Sequence, residues 1–277
     1  MAARIARALL LTTLMLVALP LTAGPALAHA PGGAGWVPDA WSAGPLALGA
    51  GLYMAGWRRW QAWRAVLFWA GWGCAAVALL SPLYGLAEDS FAAHMVEHEL
   101  LIAVAAPLFV LARPLGVLLA SLPSGARQAG RWGRLWAWAT APVTATALHA
   151  AALWLWHLPA LFDAALEGRG VHALQHLCLF GTALLFWWAM LVGRGAGARG
   201  VAVLCLFVTG LHGVLLGALL TLARVPVYAY GVYAYGAAGF DALGDQQLAG
   251  LIMWVPGAMV YVGAALALLA PVLARTD

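Results

Sequence analysis

Past its first forty residues the chain alternates between long apolar runs and short segments where charge, Gly and Pro collect. Seven such runs lie near residues 42–57, 65–81, 91–112, 139–158, 171–192, 201–222 and 247–272. Most approach the ~20 residues that a helix rising 1.5 Å per residue needs to cross a bilayer core. The predicted fold is all-α: a polytopic membrane protein, a bundle of seven transmembrane helices. An earlier apolar run differs in kind. Arg4 and Arg7 precede LLLTTLMLVALPL, and Ala26-Leu27-Ala28 closes the segment. That order of basic, apolar and small-x-small is a cleavable secretory signal. Residues 1–28 are therefore expected to be a signal peptide and 29–277 one seven-helix transmembrane domain.

The polar positions between the runs give an orientation. Arg58, Arg59 and Arg64 follow the first run. Arg113, Arg127, Arg131 and Arg134 follow the third, Arg194 and Arg199 the fifth, and Arg275 the last. The alternate loops hold Arg169 and Arg224 among Glu88, Asp89, Asp163, Glu167, Asp241 and Asp245. Arginine collects on the cytoplasmic side of a membrane, so the N-terminus is expected outside and the C-terminus in the cytoplasm. The segment RWGRLWAWA within 113–138 suits an amphipathic stretch lying in the interface, and the Tyr- and Gly-rich loop 224–245 an interfacial belt.

Composition strengthens this reading. The 277 residues are 65% hydrophobic and 9% charged, where a soluble domain carries roughly a quarter charged residues. The net charge of +4 belongs to loop arginines, so the expected partner is the lipid bilayer and not a nucleic acid. Cys74, Cys178 and Cys205 stand alone inside apolar runs, which excludes a C-x-x-C zinc or redox motif.

Candidate chemistry lies in the histidines. His94 and His98 open the third run within HMVEH, and His172 and His176 open the fifth within HALQH. A spacing of four puts each pair on one helix face, and both pairs fall at the predicted outer ends. His98 and His176 would lie about 8–12 Å inside those ends, and His212 and His149 about 15 Å. An ionisable group in a membrane is expensive and marks function by default. The predicted metal ligands are His94, His98, His172, His176 and His212. Additional candidates are His29, Met95, Glu97, His149, His157 and Asp245. His29 would carry a free amine beside its imidazole after cleavage, a chelating pair for copper. His157 alternatively closes its helix end, and Glu99 points away from the histidine face toward an outer polar interface. Imidazole-rich sites without thiolate suit copper, zinc or haem iron. Copper fits the outward placement; the haem alternative would use the deeper His149 and His212.

Several stretches resemble the seven-helix CtaG family of bacterial cytochrome c oxidase assembly proteins. They are HMVEHELLIAVAAPLFVLARPL at 94–115, LWLWHLPALFDAAL at 153–166, HALQHLCLFGTALLFWW at 172–188 and DQQLAGLIMWVPG at 245–257, together with the start HAPGGAGW at His29. The resemblance implies a protein of the bacterial inner (plasma) membrane that is not an enzyme. It implies a role in maturing haem-copper oxidase by supplying copper, with oxidase subunits or other assembly factors as partners. The family's histidine motifs map onto His94, His98, His157, His172, His176 and His212, with Asp245 heading the last motif. The family often carries Gln or another polar residue where this chain has Glu97. A haem-binding electron carrier and a copper or proton transporter are the competing functions. The cytoplasmic helix halves hold almost no ionisable residues to complete a transport path.

Overall fold

Helix boundaries follow the apolar runs closely. The computed structural model describes residues 40–56, 61–114, 130–192, 196–228 and 241–273. The expected signal peptide, His29 and most of the Tyr-rich loop lie outside these residues. The helices are α1 (Ala40–Ala55), α2 (Ala62–Leu80), α3 (Pro82–Asp89), α4 (Phe91–Ala112), α5 (Gly130–Ala139), α6 (Pro142–Trp156), α7 (Pro159–Glu167), α8 (Arg169–Val192) and α9 (Ala196–Thr221). The last, α10, runs Ala242–Ile252, turns π-helical over Met253–Gly257, and continues as Ala258–Leu273. No strand occurs among the described residues.

The chain is an all-α multi-pass membrane protein. Among the described residues, α2, α4, α8, α9 and α10 are long and apolar enough to cross a membrane. The pair α6 and α7, bent by 73°, makes a sixth if it is one span. Of the seven predicted runs, the first forms α1, whose 16 residues span only about 24 Å. The fourth breaks at His157-Leu158, because Pro159 starts α7 and forces Leu158 into an extended conformation. On α9 the exposed residues Leu204, Phe207, Leu211, Leu215 and Leu219 recur at helical spacing and make one apolar stripe. Such a face suits lipid and not water.

The centre of the bundle is α4, with 83% of its spanning window buried. It packs against α2, α8 and α10, while α6 packs on α8 and α9, and α9 on α10. Single serines start two of the helices. Ser81 accepts from the Leu83 amide ahead of Pro82, and Ser90 accepts from the Ala93 amide to open α4. Within α4 the stretch Leu100–Ala105 is π-helical, so carbonyls there look five residues ahead. For Ile102 that residue is Pro107, which has no amide to give. Trp187 Nε1 on α8 donates to the Ile102 carbonyl instead, at 2.8 Å. The α9–α10 contact is backbone to backbone: a Cβ on Gly250 would sit 2.5 Å from the Gly217 carbonyl oxygen and from Thr221 Oγ1. Only glycine permits that approach, a device common between membrane helices.

Candidate metal centre

The starts of α4 and α8 lie side by side, so their two histidine pairs meet. Along the helices the ring centroids of His94 and His98 are 4.4 Å apart, and those of His172 and His176 4.3 Å. Across the helices His94 and His172 stack at 5.2 Å, and His98 meets His176 at 5.3 Å. Glu97 enters the same nest, its Oε1 3.2 Å from His176 Nε2. Two triads result, His94–His98–His172 and Glu97–His172–His176, in each of which one ligand atom per residue lies within 4.8 Å of the others. All five side chains are buried.

Such a nest is costly unless something satisfies it. Both ring nitrogens of His98, a ring nitrogen of His94 and Oε2 of Glu97 have no hydrogen-bond partner, the His94 ring lying against the Ala87 backbone. A buried polar atom left so costs about 1–3 kcal/mol. Several imidazole nitrogens beside one carboxylate, with no thiolate, form a donor set that fits a borderline metal such as copper or zinc. Calcium or magnesium would want more oxygen.

The nest is built from α4 outward. Asp245, on the first turn of α10, accepts from the Ser90 hydroxyl at 2.9 Å, the Phe91 amide at 2.6 Å and the Ala92 amide at 3.3 Å. These amides belong to the first turn of α4, whose donors have no intrahelical partner and whose dipole favours negative charge. Asp245 therefore holds the helix start three residues before His94, with both of its oxygens engaged. It belongs to neither triad. The next residues anchor α10 to the segment that follows α9: Gln246 accepts from the Val227 amide at 2.7 Å, and Gln247 donates to the Ala223 carbonyl at 3.0 Å. Met95 is buried in the apolar core.

His157 sits at the α6–α7 break. Its Nδ1 donates to the Leu153 carbonyl at 2.7 Å, which closes the helix end as the sequence allowed. That bond fixes the proton on Nδ1 and leaves Nε2 a lone pair without a partner. The ring is near enough to His94 and His98 to interact with them electrostatically. Its carbonyl accepts from the Tyr228 hydroxyl at 3.1 Å. Burial, then the charge of Asp163, holds that phenol above its ordinary range, so it stays a donor.

His212 belongs to neither triad. It lies on α9 within electrostatic range of His149 on α6, and His149 Nδ1 is 3.2 Å from Thr182 Oγ1. Glu99 does not face an outer interface. It lines an interior cavity of about 20 Å³ with Thr209 and Tyr261, and Gly257 clears its carboxylate, which a Cβ there would meet at 3.1 Å. Two polar groups escaped the sequence reading. Gln175 is fully buried between the two histidines of α8 with no partner for its amide, and its place inside HALQH was the available signal. Ser90 was hidden because its role depends on Asp245, 155 residues away.

A second, larger cavity of about 320 Å³ opens beside the nest. Its lining joins His94 and His172 to Glu88, Asp89, Glu167 and Arg169, where α3, α7 and α8 end or begin.

No curated protein and no solved structure matches the chain. The sequence model of the cytochrome c oxidase caa3 assembly factor (Caa3_CtaG) matches residues 46–275. With the buried histidine nest of α4 and α8 inside that stretch, the chain belongs to the caa3 cytochrome c oxidase assembly factor family.

Proposed function

We propose that the chain binds copper in the nest of His94, His98, His172, His176 and Glu97 and passes it to an oxidase subunit or to another assembly factor. One observation carries this reading. Two i,i+4 histidine pairs from different helices converge on a buried carboxylate, and ring nitrogens of His94 and His98 have no hydrogen-bond partner. Copper is cargo here, and no catalytic residue is assigned. The triads share His172, so an ion held by one can reach the other while keeping that ligand and exchanging the rest one at a time. His157 Nε2 adds a further imidazole close by. Asp245, Ser90 and the Leu153 carbonyl orient the donors, as outer partners do at metal sites.

The arginine pattern completes the reading: seven spans in the bacterial plasma membrane after a cleaved signal, N-terminus outside, with the nest in the outer half. Copper is favoured over haem by the placement of the paired histidines at the outer starts of α4 and α8, where an ion arriving from outside the cytoplasm would meet them.

The test is made in cells. His98→Ala or His176→Ala should leave the protein in the membrane at near-normal levels, because alanine lowers the cost of burial. The oxidase should then contain its haem and lack copper. Full copper content and full oxidase activity in both variants would refute the proposal.

A further inference from the structure

The larger cavity is far bigger than an ion. Its 320 Å³ is the volume of about ten water molecules at ~30 Å³ each. Its floor and its rim differ in chemistry. The floor is His94, 1% exposed, a ring nitrogen of which has no hydrogen-bond partner, together with His172. The rim is Glu88 and Glu167, both exposed, with the half-buried Asp89 and the exposed Arg169. Three carboxylates therefore face one guanidinium, and no ion pair joins Arg169 to any of them among the described residues. Unpaired in this way, the carboxylates project their charge into the cavity. Rim and nest also feel each other, since Glu88 lies within electrostatic range of Glu97.

We propose that this cavity is a capture vestibule for hydrated metal cations. Glu88, Asp89 and Glu167 draw the cation in with its water shell, and His94 and His172 take it from the floor. The inference rests on the copper reading of the nest and deepens it by assigning the entrance. A concave mouth of one sign raises the local concentration of the opposite charge and the rate of association. Carboxylates at the rim are poor competitors for copper against imidazole, so they collect the ion without retaining it. Arg169 opposes entry. The sign of its effect is therefore opposite to that of its neighbours.

The experiment uses the full chain in nanodiscs and copper(II) sulfate as probe. Loading is followed by stopped-flow tryptophan fluorescence, and copper at equilibrium is counted separately. The variant Glu88→Gln/Asp89→Asn/Glu167→Gln should load about tenfold more slowly at low salt. Its rate should lose most of the salt dependence seen in the unaltered protein, while equilibrium copper per chain stays the same. Arg169→Gln should load faster than the unaltered protein. Loading of the triple variant at the unaltered rate overturns the vestibule and leaves the copper nest standing. A triple variant that holds less copper at equilibrium also overturns it, because the carboxylates would then be ligands. An unaltered protein that takes up no copper(II) overturns the nest and the vestibule together.

Discussion

Replacing Asp245 by alanine removes the group that fastens the start of α4. Two first-turn amides, of Phe91 and Ala92, lose their acceptor. The Ser90 hydroxyl loses it too but can turn to another partner. Each buried donor left unpaired costs about 1–3 kcal/mol, so the two amides together cost about 2–6 kcal/mol. Loss of the carboxylate's interaction with the helix dipole adds roughly 0.3–2 kcal/mol. For a chain of this size the change corresponds to a melting shift on the order of 10 °C. Asp245→Asn should recover part of this, since its carbonyl oxygen can still accept from Ser90 and Ala92 while its NH₂ points a donor at the Phe91 amide. Thermal unfolding of the purified protein checks the stability. Copper titration checks the function, which should weaken because His94 lies within the same turn. The copper that still binds should show an unchanged ligand set. If Asp245→Ala melts like the unaltered protein while one oxygen ligand vanishes from the copper spectrum, then Asp245 is a ligand and the positioning argument is wrong.

Other residues are predicted to act as follows. Gly250→Ala puts a methyl 2.5 Å from the Gly217 carbonyl, so α9 and α10 must separate at a cost of about 1–3 kcal/mol, read as a lower melting temperature and reduced accumulation. Trp187→Phe strips the Ile102 carbonyl of its donor within the π-helical stretch and should cost about 1–3 kcal/mol in thermal unfolding, with copper stoichiometry unchanged. His149→Ala and His212→Ala should both retain full copper in a metal assay of the purified protein, since neither residue belongs to the triads.

What the sequence revealed was what depends on spacing within one helix. The pairs His94/His98 and His172/His176 share faces because they are four apart and precede any irregularity; the π-helical turns of α4 begin only at Leu100. The apolar runs likewise placed the helices, since burial in lipid demands them. Which neighbour each face meets was not legible. Glu97 and Glu99 are two residues apart, which puts them on opposite sides of α4, one toward α8 and the other toward α9 and α10. Sequence spacing separates the two faces and is silent on what lies beyond them. The same holds for His212: its depth matches that of the other histidines, but it lies within electrostatic range of His149 and in neither triad. Asp245 read as a candidate ligand because it is an acid at a helix start. Its real partners are amides at the start of another helix, 154 and 153 residues away in the chain, and no local pattern records them.

Whether imidazoles from α4 and α8 hold copper together, as proposed, is read by X-ray absorption of the purified, copper-loaded protein with its metal content. Bound copper with several imidazole ligands is expected in the unaltered protein and in His149→Ala, and loss of that copper in both His98→Ala and His176→Ala. Copper retained with the same imidazole count in His98→Ala and His176→Ala, or lost only in His149→Ala, would contradict the proposal.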